Sequence, residues 1–320
     1  PSSPRHGVRR QRQMCIRDSR EAARHARHVV DQLDRRVLVA GSIGPTGELL
    51  APLGALEAVD AASAFAEQAQ GLTEGGADAA LKIGAEFDEY EVEIHNARKL
   101  QPAAGLERQG FALVPHKTRV EDFYRLEAVR ADYEAEITEL VLAAIDGASA
   151  LVFDHTLRSD SPAIRGQNTT REPASVIHND YTDESAAKRL RDLLQPEEAE
   201  ARLGKRFAII NVWRSIRGPV INSPLALCDF ASAESSDFVA SERRARERIG
   251  ELQLVTHNPN HRWYFFPEQR FDEALLIKTF DAADDGRARR VAHTAFSNPL
   301  APADAPPRES LESRLLVFFD

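Results

Sequence analysis

From Glu86 to Asp320 the chain is cut into short segments dense in β-branched and aromatic residues and bounded by turn formers, and nothing else in it constrains the fold as much. "YEVEIHNAR", "GFALVPH", "ALVFDH", "RFAIINVW", "RWYFF", "ALLIKTF" and "RLLVFF" each suit a pleated, half-buried surface. Seven or more such strands must close on themselves or face one another to hide their edges, so a β-sandwich or barrel is expected. Helices intervene. In "RADYEAEITELVLAAIDG", Tyr133, Ile137, Leu140, Val141, Ala144 and Ile145 recur at three- and four-residue steps, giving one apolar face with Gly147 as the stop. "DESAAKRLRDLLQPEEAEARLG" reads as a second helical stretch, interrupted at Pro196. Helices laid on one side of a jelly roll fit this order: a mainly β, α+β domain built as a double-stranded β-helix.

The residues before it differ in kind. From Arg36 to Ala80 the chain gives a short apolar strand, a Gly-rich turn and an Ala-rich helix closed by Gly75 and Gly76, one β-loop-α unit. Gly41, Gly44 and Gly47 are spaced G-x-x-G-x-x-G, which is neither the dinucleotide fingerprint nor a P-loop, so no phosphate cradle is expected. The run "AGSIGPTGE" resembles the first strand and loop of the homocysteine S-methyltransferase barrel. That resemblance ends near Ala80, whereas a (β/α)8 barrel needs roughly 200 residues to close. The resemblance also implies a zinc held by paired thiolates late in the barrel. Cys15 and Cys228 are the only cysteines, so homocysteine methyl transfer is the least supported activity.

Residues 1–36 hold ten arginines against four acids. A basic arm can mean nucleic acid, but "MCIRDS" (Met14 to Ser19) resembles the in-frame translation of a transposon-end sequencing adapter, and residues 1–35 are read as a non-native leader. Three pieces result: the leader 1–35, a barrel fragment without function at 36–84, and a domain over 85–320. The change of character at 80–90 is either a natural fusion or an artificial join, and the leader and incomplete barrel favour the join.

The longest apolar run, "ELVLAAIDGASALVF", is broken by Asp146 and Gly147 short of the roughly 18 residues a bilayer demands, so no membrane role is expected. The net charge of −9 gives the body no nucleic-acid surface. Two cysteines cannot build a disulfide framework, which fits a reducing cytoplasm. Oligomeric state leaves no sequence signal.

The chemistry centres on "ASVIHNDYT", where His178 and Asp180 stand two apart. Ten histidines in a chain with 50 acids in 320 residues yield roughly 1.6 such H-x-[DE] matches by chance, so the spacing alone decides nothing. Two histidines and one carboxylate on one face are the donor set of non-haem Fe(II) oxygenases. His257, His261 and His293 are the candidates for the second histidine. His257 and His261 flank Pro259 and Asn260 in a turn, whereas His293 lies between the last two strands, where a distal ligand belongs. Arg308 and Ser310 form an R-x-S entering the final strand. A guanidinium grips a carboxylate through two parallel hydrogen bonds and a hydroxyl adds a third, as the distal carboxylate of 2-oxoglutarate requires. Arg314 is the alternative anchor. Taken singly, Arg308 also reads as a surface ion pair and His293 as a core histidine; their order along the chain favours the metal.

"FDHTLR", "VIHNDYT", "NVWRSIRGPVINSPLALCD", "HRWYFFPEQRFDEALLIKTFD", "HTAF" and "PRESLESR" together resemble the CmcJ/AsaB-like oxygenases, a family that includes a gibberellin desaturase, over roughly Tyr90 to Asp320. The resemblance implies a double-stranded β-helix, Fe(II) and 2-oxoglutarate as cofactors, dioxygen, and hydroxylation or desaturation of a small-molecule secondary metabolite. Asn211 is a candidate for supporting the metal or the co-substrate. Arg158, Tyr181, Trp213, Arg214, Trp263 and Tyr264 are candidates for the substrate pocket, although the aromatics among them read equally well as core. The rival class is a non-catalytic jelly-roll protein that binds a small molecule.

Overall fold

The structure is a computed structural model that describes residues 20–26, 28, 40–42, 79–81, 88–167, 170–245 and 248–320. It divides into two compact units, Pro1–Glu89 and Tyr90–Asp320. In the first, strand β1 (Ala40–Ser42) pairs in parallel with β2 (Ala79–Leu81), the pairing a β-loop-α-β crossover gives. The adapter-like residues 14–19 and the expected Ala-rich helix lie outside the described residues; within the leader, residues 20–26 are helical.

The second unit runs β3 (Ile94–Asn96), β4 (Phe111–Pro115), the helix Leu126–Ile145, β5 (Ser149–Ser159), the helix Pro162–Gln167, β6 (His178–Asn179), the helices Asp183–Leu193 and Pro196–Leu203, then β7 (Phe207–Ser215) and β8 (Leu225–Cys228). It continues through β9 (Phe238–Ala245), β10 (Arg248–Val255), β11 (Trp263–Phe265), β12 (Glu273–Asp281), β13 (His293–Ala295) and β14 (Glu309–Phe318). Two sheets form, one in the order β4-β12-β7-β14-β5 and the other β3-β11-β8-β13-β6-β10-β9. Strands β5 to β8, and again β11 to β14, alternate between the two sheets, the winding of a double-stranded β-helix.

Sequence explains the layers. The central strands β7 and β12 are buried along their whole length, so they must be covered on both faces. One face of the five-stranded sheet meets the helix Leu126–Ile145, whose Tyr133, Ile137, Val141 and Ile145 form a stripe at four-residue steps on Ile210, Val212, Leu276, Leu311 and Val317. The helix stops one residue before the expected Gly147: Asp146 takes the left-handed cap, with φ 53°. Gly147 serves a close approach instead, since a Cβ there would lie 2.6 Å from Val317 Cγ1. The second helical stretch is two helices, the first capped reciprocally by Thr182 and Ser185, the second starting with Pro196 in the first turn, where its missing N–H costs nothing.

The opposite, inner face carries the polar groups. Three cross-strand rows cover it: Asp154, Arg314, Asn211 and Ile277; then Thr156, Glu312, Trp213 and Leu275; then Arg158, Ser310 and Ser215. A charged interior between two buried sheets is costly unless the charges answer one another or a ligand.

Candidate metal centre

His178 and His293 are direct partners on the neighbouring strands β6 and β13. Their side chains therefore leave the sheet on the same face, with ring centroids 4.6 Å apart. Each is the last residue of a V-x-H triplet, and each turns its Nδ1 onto the carbonyl of that valine: Val176 at 2.7 Å for His178, Val291 at 3.0 Å for His293. A carbonyl only accepts, so Nδ1 carries the proton and Nε2 keeps its lone pair free. Asp180 follows β6. Its Oδ2 accepts from Asn211 Nδ2 at 2.8 Å and from Arg314 Nε at 3.1 Å, which leaves Oδ1 facing His178 Nε2 at 3.5 Å. The donor atoms of the three residues lie within 4.8 Å of one another.

Electrostatics match this geometry. Burial works against the Asp180 carboxylate, yet Arg314 and the two imidazoles hold its pKa well below the usual range. Burial also works against the His178 imidazolium, but Asp180 raises its pKa above the ordinary value. For His293, burial and the neighbouring His178 push the pKa down. Two imidazole nitrogens and one carboxylate oxygen on one face could hold a divalent metal and leave coordination positions open. The set therefore fits iron.

Arg308 immediately precedes β14 and is 2% exposed. Its Nε donates to Ser310 Oγ at 3.0 Å, its Nη1 to the Ser223 carbonyl at 2.7 Å, and its guanidinium stands 4.8 Å over the Trp213 ring. Among the described residues no carboxylate closes an ion pair with it. Burial, and then repulsion from Arg158, lowers its pKa to about 9. Trp213 Nε1 is buried with no acceptor. A buried cation without a counter-charge and a buried donor without an acceptor are both costly, and an incoming carboxylate would answer them.

The remaining candidates divide by face. Trp213 and Asn211 stand on the inner face of β7. Arg158 stands beside Ser310 on the inner face of β5, its Nη1 donating to the Glu172 carbonyl at 2.7 Å. Tyr264 shares one inner row with Leu227 and His293, two strands from that histidine. Tyr181 is packed with Ile209, Leu316 and Phe318, its hydroxyl pushed up to about 12 by burial and by Asp180. Two expectations fail. Arg214, next to inward Trp213, points to the helix-covered face, between the Phe123 and Phe271 rings, and donates to the Phe271 carbonyl at 2.6 Å. Trp263, next to inward Tyr264, packs away from the histidines with Ala226, Cys228 and Ala292. Successive strand residues face opposite ways, so neither adjoining pair can contribute both members to one pocket. A cleft of about 770 Å³ beside Arg98, Pro267, Arg270 and Phe271 includes none of the candidate residues.

Arg214→Met should cost stability on the order of 3 kcal/mol, since it strips the donors from the His116 and Phe271 carbonyls. Stabilisation by added 2-oxoglutarate should persist in that variant. Thermal melts with and without the keto acid check both points, and loss of the ligand shift would return Arg214 to the pocket.

Sequence reading passed over Glu312, Asp154 and Thr156. The signal was present: Arg308, Ser310, Glu312 and Arg314 recur with period two in a strand whose alternate residues Leu311, Leu315 and Val317 are apolar.

Two facing, mainly antiparallel sheets, with two imidazoles, a carboxylate and a guanidinium that has no carboxylate partner among the described residues, match the frame of the non-haem iron, 2-oxo acid oxygenases. Comparison with known proteins agrees. A family model described as Oxidoreductase/YMDC permease-like domain matches residues 63–318, and one described as Homocysteine S-methyltransferase matches residues 5–99. The hydroxylase/desaturase efuI of Hormonema carpetanum is 31% identical over 259 residues, spanning 73% of this chain and 85% of the relative. The Fe(II)/2-oxoglutarate-dependent dioxygenase nvfI of Aspergillus novofumigatus is 32% identical over 243 residues, 72% of this chain and 83% of the relative. A solved structure of the iron and alpha-ketoglutarate-dependent endoperoxidase NvfI superposes with a TM-score of 0.65 at 26% identity, covering 74% of this chain and 92% of that one. The chain belongs to this oxidoreductase family, that of the hydroxylase/desaturases and iron- and 2-oxoglutarate-dependent dioxygenases.

Proposed function

We propose that residues 85–320 are an Fe(II)- and 2-oxoglutarate-dependent oxygenase that hydroxylates or desaturates a small-molecule secondary metabolite. The observation that carries this reading is the convergence of His178, Asp180 and His293 between the two sheets, with Arg308 buried beside the facing sheet and, among the described residues, without a carboxylate partner. Bound iron and 2-oxoglutarate supply the oxidising power that turns dioxygen on an unactivated C–H bond, with succinate and CO₂ as co-products. The protein's residues supply the rest. His178, Asp180 and His293 hold the metal, and the Val176 and Val291 carbonyls fix which nitrogen each imidazole offers. Arg308 and Ser310 receive the distal carboxylate of the co-substrate, and the Trp213 face shields that guanidinium from water. A jelly roll that only binds a small molecule has no use for two imidazoles with aligned free nitrogens.

The register also supports a direction of approach for the substrate. Leu227, His293, His178, Leu254 and Val239 form one inner row across five strands. Along it burial falls from Leu227 at 0% exposed to Val239 at 48%. Substrate reaches the metal over Leu254 and Val239, an apolar path suited to an apolar molecule.

Metal-stripped protein supplied anaerobically with Fe(II), then with 2-oxoglutarate and oxygen, should form succinate slowly without substrate. No succinate from folded, iron-loaded protein would remove the assignment.

Residues 1–84 take no part in this reading. Deleting them should leave succinate formation and most of the cooperative unfolding of the remainder unchanged. Circular dichroism melts of the truncated chain test this, and a chain that no longer folds would make the segment part of the domain.

A further inference from the structure

Asp180 is gripped from the side opposite the histidines, and the grip comes from the residue that sequence offered as the alternative anchor for the co-substrate. Arg314 Nε donates to Asp180 Oδ2 at 3.1 Å, and its Nη1 donates to Asp154 Oδ2 at 2.5 Å and Thr156 Oγ1 at 3.4 Å. Its Nη2 donates to Glu312 Oε1. Four of the five N–H groups of the guanidinium are thereby engaged, so no fork remains for an incoming carboxylate.

Three carboxylates surround this one guanidinium, and Arg158 and Arg308 stand near Glu312 as well. Glu312 and Asp180 are well buried, with side chains 6% and 12% exposed, and Asp154 is about half exposed at 46%. Buried charges are costly unless answered, so the guanidinium and these carboxylates hold one another in place. Geometry gives the cluster a direction as well. Both donors to Asp180, Arg314 Nε and Asn211 Nδ2, go to the same oxygen, Oδ2. Arg314 and Asn211 are direct partners on β14 and β7, so one cross-strand row presents both. With Oδ2 occupied twice, the carboxylate offers Oδ1 alone to the space it shares with the imidazoles.

We propose that Arg314 is the positioning residue of the metal centre: together with Asn211 it locks Asp180 as a one-oxygen ligand aimed at the two histidines, and it takes no part in holding 2-oxoglutarate. This rests on the assignment of His178, Asp180 and His293 as the metal ligands. Without the lock, Asp180 is free to turn, to offer both oxygens, or to close on His178 Nε2, already 3.5 Å from Oδ1. Closing on His178 competes with the metal, turning away withdraws the ligand, and offering both oxygens fills a position that a one-oxygen ligand leaves open. Outer partners of metal ligands typically govern affinity by about 10- to 100-fold.

The test uses Co(II) alone as the probe, titrated anaerobically into the chelator-stripped full chain and followed by its visible d–d bands. Arg314→Met should weaken Co(II) binding by about 10- to 100-fold, and the shape and intensity of the bands should change as the carboxylate is released. Arg314→Lys keeps the charge but not the fork, and should fall between parent and Arg314→Met. Asn211→Leu, which removes the other donor to Oδ2, should weaken Co(II) in the same direction. At saturating Co(II), 2-oxoglutarate affinity should stay within a few-fold of the parent in all three, a split that general loosening of the fold would not give. Parent-like Co(II) affinity and bands in folded Arg314→Met overturn the proposal, as does a loss confined to 2-oxoglutarate. Should Arg314→Met fail to fold, Arg314→Lys and Asn211→Leu decide on the same criteria. A parent that takes up no Co(II) removes the metal assignment itself and this inference with it, an outcome distinct from a parent that binds while the variants bind equally.

Discussion

His178→Ala, Asp180→Ala and His293→Ala should each abolish iron binding at micromolar metal and, with it, all turnover of 2-oxoglutarate. A site of three protein ligands that loses one keeps only two, and the loss should exceed the roughly 100-fold that an outer partner controls. The three substitutions differ in what they leave behind. Removing either imidazole leaves the Arg314 and Asn211 grip on Asp180 intact, so the fold should hold. Removing the Asp180 carboxylate takes a partner from a buried guanidinium that still has Glu312 and Asp154, so Asp180→Ala should lose stability as well as metal. Equilibrium dialysis against Fe(II) under argon, with melts of the metal-free proteins, measures both effects. Normal iron uptake in all three variants would dissolve the triad.

The second large effect belongs to the co-substrate. Arg308→Leu touches no metal ligand, so iron affinity should persist while 2-oxoglutarate binding weakens by about 3–5 kcal/mol, as when one partner of a buried charge pair is removed. That is roughly two to four decades in Kd. In the parent, 2-oxoglutarate in excess over metal-loaded protein should raise the Tm with the logarithm of its concentration. Arg308→Leu should lose that shift and keep the one caused by metal. Arg314→Met should keep the 2-oxoglutarate shift at saturating metal and reduce the one caused by metal, so the two arginines separate into two functions. Retention of the 2-oxoglutarate shift in Arg308→Leu would pass the anchor to Arg158, its nearest cationic neighbour on the inner face.

How much of this could be read from the sequence depends on the scale of the signal. The seven apolar β-rich segments all contain strands, because burial on one or both faces imposes a composition that no loop shares. The hairpin of β9 and β10 gave no such signal. Its text, "FVASERRARERIGELQLV", is dense in charge, and pairing along the two strands holds it rather than burial on both faces. That His178, Asp180 and His293 come together was legible from spacing and order, since short motifs at strand ends keep their spacing whatever the fold does elsewhere. Parity was not. Trp213 with Arg214, and Trp263 with Tyr264, are adjoining pairs of which one member must face away, and only strand register shows which. Asn211 held that information, because a residue two positions from it shares its face. The grip of Arg314 on Asp180 was hidden for another reason: 134 positions separate them, and only the pairing of β14 with β7 brings Arg314 beside Asn211 at the metal centre.

The central claim, that this inner face holds iron and 2-oxoglutarate together, is tested most directly by anaerobic titration of 2-oxoglutarate into the Fe(II)-loaded chain. A 2-oxo acid that chelates iron gives a visible metal-to-ligand charge-transfer band. That band should grow to saturation at one equivalent per iron in the parent, be absent in His293→Ala, and require far higher 2-oxoglutarate in Arg308→Leu. A parent that binds iron yet develops no band at saturating 2-oxoglutarate would contradict the account.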